Sequence, residues 1–150
     1  MGSNSWVGLA LLLTMVNAFA GDYQWFEREW VIDHDATVAM NPRYEDVAEE
    51  TTRKLFSHLR WSVKDGTYSL TNAQFDTRQG PFAYSVTPIS EDSFELHDPA
   101  NNGYVPPIVT RTADGFCIES KVGWYRHEGR WREPDPNYVH IDCYHALDVD

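Results

Sequence analysis

In this 150-residue chain, the residues with the types and spacing for chemistry are histidines beside acids and a group of arginines among aromatics. His140-x-Asp142 is the best formed, because residues two apart on a strand project from one face. With His127 or His145 nearby it would begin a three-ligand metal site, but no helical ligand pair or Cys/His cluster accompanies it. The plain expectation is a solvated outer face, with no metal and no cofactor. In Asp33-His34-Asp35 the neighbours rarely point at one another, so acid–base work is not expected there. Nucleophile elbows, phosphate loops, dinucleotide-binding glycines and calcium loops are missing from the sequence. Paired acids of a glycan hydrolase have no fixed spacing, so Asp33, Asp35, Glu119 and Asp142 keep a carboxylate enzyme as an alternative to a non-enzymatic protein.

Aromatic residues carry more information. Trp25, Trp30, Trp61, Trp124 and Trp131, with eight tyrosines, exceed what one small core needs. Trp30, Trp61 and Trp124 are expected to pack against a helix. Tyr125, Arg126, Arg130, Trp131 and Arg132 instead gather Tyr, Trp and Arg on a predicted hairpin, ahead of the stiff Pro134-Asp135-Pro136-Asn137 stretch and Tyr138. That is the composition of a protein-binding hot spot, and these six residues are the candidate binding site. Base stacking is the competing use, but the formal charge of −11 opposes contact with nucleic acid.

The segments that must position these residues begin after an apolar leader. Trp6 to Val16 is uncharged and is followed by Ala18-Phe19-Ala20, a small-x-small cleavage pattern, so residues 1–20 read as a cleavable signal peptide. The run is too short for a bilayer span, and no membrane association is expected after its removal. Residues 21–150 then form a single exported domain, periplasmic or extracellular, carrying every charged side chain. An acidic exported domain finds its natural partner in a cationic exported protein. Cys117 and Cys143 are expected to pair, with two free thiols or a metal pair as alternatives. Alternation raises a difficulty, since Phe116 and Ile118 inward turn Cys117 outward while Val139, Ile141 and Cys143 read as inward together. A bulge, or a bond at the sheet's end, is then required.

Along the mature chain, Asp22 to Asp33 is aromatic and β-branched enough for a first strand. Asn41 then reads as an N-cap and Pro42 as a first helical residue, opening one amphipathic helix over Pro42 to Leu59. Its buried face would carry Tyr44, Ala48, Thr51, Thr52, Leu55 and Leu59. Strands follow around Asp65-Gly66, Ser90-Glu91-Asp92, Asp114-Gly115 and Glu128-Gly129, ending with Tyr138 to His145. The fold class is mainly β (α+β): a curled antiparallel sheet or barrel packed around that helix, with a cystatin-like roll as the alternative.

Trp30 near the end of the first strand, the helix from Pro42 and the Asp65-Gly66 hairpin leading the meander give a layout that resembles the lipocalin-like group of small exported barrels. That resemblance implies a carrier of a small apolar ligand held inside the barrel. The residues themselves favour a binding protein of inhibitor or immunity type, which captures a cationic protein partner.

Overall fold

The computed structural model describes residues 23–98, 105–121, 125–133 and 139–147, and of 125 and 126 the backbone alone. The expected leader, Trp124 and Tyr138 lie outside these residues. The fold is mainly β and antiparallel, as expected. A 3-10 turn at Gln24–Phe26 leads into β1 (Glu29–Ile32), then α1 (His34–Met40), α2 (Glu45–Ala48) and α3 (Glu50–Phe56). Next come β2 (Leu59–Lys64), β3 (Thr67–Asn72), β4 (Thr77–Ala83), β5 (Ser85–Ser90), β6 (Ser93–His97), β7 (Ile108–Arg111) and β8 (Gly115–Lys121). The last three strands are β9 (Tyr125–His127), β10 (Arg130–Arg132) and β11 (Val139–Ala146). Among the described residues no helix is long and apolar enough to cross a membrane.

Nine strands form one curled half-barrel sheet in the order β4-β3-β2-β1-β11-β8-β7-β6-β5. Its two edge strands, β4 and β5, are successive in the chain and separated by Tyr84 alone. The sheet must therefore curl until its ends meet at that residue. Two bonds hold the closure: Tyr84 N–H donates to the Gly66 carbonyl at 3.1 Å, and the Tyr68 hydroxyl donates to Asp98 Oδ2, just past β6, at 2.7 Å. The β2–β3 turn works because Asp65 and Gly66 both take positive φ, 51° and 72°. Prolines Pro81 and Pro88 fall on the two edge strands, where a missing donor breaks no ladder.

The interior is filled by aromatic rings rather than by a helix. Phe26, 1% exposed, lies within 5.1–6.5 Å of Trp30, Tyr84, Phe94 and Phe116, which come from four places around the barrel. Trp30 sits edge-on to Phe116 at 4.9 Å, and Trp61 stacks on Tyr68 at 5.1 Å. Trp30 and Trp61 thus pack into the barrel, not against the helix expected of them. Burying each such ring contributes about 1.5–3 kcal/mol. Gly115 is required here, because a Cβ at that position would meet the Tyr144 carbonyl oxygen at 1.8 Å.

The single helix expected over Pro42 to Leu59 is replaced by two short ones, α2 and α3, preceded by α1, and the first reason is Asn41. It ends α1 instead of starting a helix, and its amide is committed across the fold to β11. Asp33 supplies the N-cap of α1, accepting from Ala36 N–H at 2.9 Å. Pro42 cannot continue that helix, and a second break at Glu49, extended at ψ 141°, separates α2 from α3. Each break resets the helical phase. Burial therefore falls on Tyr44 and Val47, with Val38 packed against them, and on half-buried Phe56, while Leu55 is 41% exposed.

Beyond Ile32, where β1 stops pairing, α1 takes its place beside β11. Asp33 N–H donates to the Cys143 carbonyl at 2.7 Å. Cys143 N–H donates to Thr37 Oγ1 at 2.9 Å, and Ile141 N–H to Asn41 Oδ1 at 2.9 Å, while Asn41 Nδ2 donates back to the Ile141 carbonyl at 2.6 Å. Thr37 and Asn41, four residues apart and therefore on one helix face, continue the ladder with side chains.

Cys117 and Cys143 form a disulfide, spanning 26 residues. No bulge is needed, because the unbroken β8–β11 register sets the two directly opposite. The expected inward set on β11 is the outward one: Tyr144, which pairs with Phe116, faces the core. On the chain-entropy view a loop of this length adds about 3.5 kcal/mol.

Asn41→Ala is expected to destabilise the fold by roughly 2–3 kcal/mol, since it strands a backbone donor and acceptor of Ile141 in a partly buried place. Denaturant unfolding measures this, and a loss within ±0.5 kcal/mol, the range of an ordinary surface substitution, would show the amide to be dispensable.

Candidate functional site

The β9–β10 hairpin is a two-stranded sheet of its own. Glu128 and Gly129 turn it, both at positive φ, 52° and 69°. Its tip is held to the helical segment, with Gly129 N–H donating to Glu45 Oε2 of α2 at 2.8 Å. Arg132 Nη2 lies 3.3 Å from Glu128 Oε2 across the turn. Trp131 is 65% exposed, the most exposed large apolar side chain among the described residues. Arg130 is exposed and Arg132 half-buried. The register sets Tyr125 opposite Arg132 and Arg126 opposite Trp131. Five of the six expected site residues are thus brought onto one hairpin.

His140 and Asp142 occupy a different setting from the solvated outer face expected of them. Asp142 pairs with Ile118 and His140 with Ser120, so they alternate in phase with inward-facing Tyr144. Their side chains are 19% and 25% exposed, and His140 Nε2 lies 2.7 Å from Asp142 Oδ1. The Tyr44 ring meets His140 edge-on at 4.8 Å. The sequence misleads because Val139, Ile141 and Cys143 look like the apolar, inward set, whereas Cys143 carries the disulfide and the backbones of Ile141 and Cys143 bond to Asn41 and Thr37. Neither His127 nor His145 joins the pair: among the described residues no group of three or more His, Cys, Asp or Glu is placed to hold a metal.

The acids of the hydrolase alternative are dispersed. Asp33 caps α1. Asp35 is exposed, 3.7 Å from Arg53. Glu119 alternates with buried Ile118, so it faces the other side of the sheet from Asp142.

Three tyrosines packed in the interior hold their phenol protons tightly. Burial, then the charge of Glu27, pushes Tyr84 up to about 12. Burial, followed by the hydrogen bond to Asp98 and that carboxylate's charge, raises Tyr68, and burial with the charge of Asp142 raises Tyr144.

Comparison of the chain with protein-family models, with curated proteins and with solved structures finds no match in any of the three.

The raised phenols make stability sensitive to alkali. Each binds its proton more tightly folded than unfolded, so their contribution is complete below the ordinary phenol value of about 10. The Tyr84 contribution is lost as pH rises from there through about 12. Thermal unfolding is expected to show a falling midpoint above about pH 10, with a shallower fall in Tyr84→Phe; an unchanged midpoint up to about pH 12 would contradict this.

Proposed function

We propose that the protein is an exported, non-enzymatic binding protein that captures a protein partner through the β9–β10 hairpin. The observation that carries this reading is Trp131: a large indole, 65% exposed, on a strand whose turn is tied to α2 through Glu45. Indoles in the core contribute packing. An exposed one on a short, anchored hairpin among arginines contributes a rigid anchor for a pocket on a partner. The net charge of −11 favours a cationic partner, whose approach the field would accelerate. The disulfide supports an oxidising, exported setting.

A carrier reading follows from the curled half-barrel, which is compatible with a lipocalin-like layout. It ranks second because Phe26 and its neighbouring rings occupy the interior that a carried ligand would need. The carboxylate hydrolase ranks third, on the dispersed acids.

Affinity capture from the exported fraction at low salt is expected to recover a basic protein. Trp131→Ala should weaken that complex by roughly 30-fold or more, and raising ionic strength should slow association steeply. Recovery of lipid alone would favour the carrier, and a complex indifferent to both Trp131 and salt would refute the hairpin as its anchor.

A further inference from the structure

At the end of the barrel beside the Gln24–Phe26 turn, a cleft of about 100 Å³ opens between the start of β1 and the β7–β8 turn. Its lining is unusual for so acidic a chain. Arg28 lies over the Trp30 ring with its guanidinium carbon 5.6 Å from the centroid, and Arg111 lies over Trp25 at the same distance. A guanidinium held over an indole face keeps N–H groups at its edge that can donate to a ligand. Arg28 makes no ion pair among the described residues, and Arg111 has only a long, exposed one, 3.8 Å to Asp92. Asp114 is the acid in the lining, alongside the two arginines, and Asp92 stands outside it beside Arg111. The Trp25 Nε1 donor is buried with no acceptor among the described residues, a condition that costs free energy unless something supplies one.

The opposite wall is firm. Thr112 N–H donates to the Gly115 carbonyl at 2.8 Å, and Gly115 N–H donates to Thr112 Oγ1 at 3.1 Å. Gly115 in turn lies against the Tyr144 backbone, which anchors the turn to β11.

We infer that this cleft, with Arg28 and Arg111 stacked on Trp30 and Trp25 at its rim, is a binding site for a small oxyanion, a carboxylate or phosphate group. The volume admits the charged end of a ligand, not a whole nucleotide or sugar. Two guanidiniums held a fixed distance from indole faces match a planar carboxylate best, since each can present a two-pronged edge. The site is separate from the β9–β10 hairpin and does not depend on the hairpin being a docking surface.

The test is titration of the mature protein with sodium acetate and, separately, sodium phosphate, at fixed pH and with sodium chloride keeping ionic strength constant. The indole N–H resonances of Trp25 and Trp30, assigned through Trp25→Phe, report binding. Saturable shifts confined to these two indoles are expected at about millimolar anion, as befits a ligand of few atoms. Arg28→Gln and Arg111→Gln should each weaken the response tenfold or more. Both side chains are exposed, and unchanged shifts elsewhere in the spectrum check that the fold is kept. Saturation by acetate alone identifies a carboxylate site, and saturation by phosphate identifies a phosphate site. Shifts that chloride reproduces, that never saturate, or that survive both arginine variants would overturn the inference.

Discussion

Where β1 ends, the backbone of β11 would be left with unpaired donors and acceptors in the interior, and one turn of α1 takes them up. Thr37 and Asn41, 0% and 2% exposed, are buried polar residues because their side chains stand in for a strand. A buried amide that donates and accepts along one ladder is fully used, and nothing of similar shape without both functions replaces it. Much follows from this substitution. It fixes α1 beside β11, and the chain leaving α1 places α2. Glu45 of α2 then fixes the β9–β10 turn. The turn beside Trp131 is therefore linked, at several removes, to an asparagine in the body of the protein.

Closure and filling solve a second problem, that of two sheet edges. Running β4 into β5 through Tyr84 makes one chain segment serve both edges, and the proline in each half discourages pairing with a foreign strand. The curled sheet encloses a space that the Gln24–Phe26 turn fills from one end. Phe26 packs against rings contributed by β1, β6 and β8 and by Tyr84, so the turn acts as a plug. With the interior packed, the hairpin and the cleft between Arg28 and Arg111 are the features left facing solvent.

How much of this was legible in the sequence depends on the range of the interactions involved. Two-residue turns are local, so Asp65-Gly66 and Glu128-Gly129 mark their hairpins without reference to the rest of the chain. Strand alternation around Phe94 and Leu96 is equally local and marks a true inward face. Asn41-Pro42 carries a valid helix-start pattern, but a bond to Ile141, 100 residues away, decides the use of that asparagine. The buried helical face differs in phase from the sequence pattern as a consequence. On β11, polarity points the wrong way: His140 and Asp142 satisfy each other and face inward, while Cys143 is buried opposite Cys117 with its N–H on Thr37 of α1. For the candidate site, composition sufficed to find the hairpin because Tyr, Arg and Trp lie within eight residues of one another. The cleft is invisible in the sequence, since Arg28 and Arg111 line one site only in the folded chain.

Amide hydrogen exchange at Ile141 and Cys143 tests the strand-for-helix substitution most directly. Both amides are expected to exchange as slowly as the paired amides of β8 in the native protein. In Asn41→Ala the Ile141 amide should lose protection, and in Thr37→Val the Cys143 amide should do so, each before the central sheet is affected. Fast exchange at both amides in the unaltered protein, or protection unmoved by either replacement, would contradict the account.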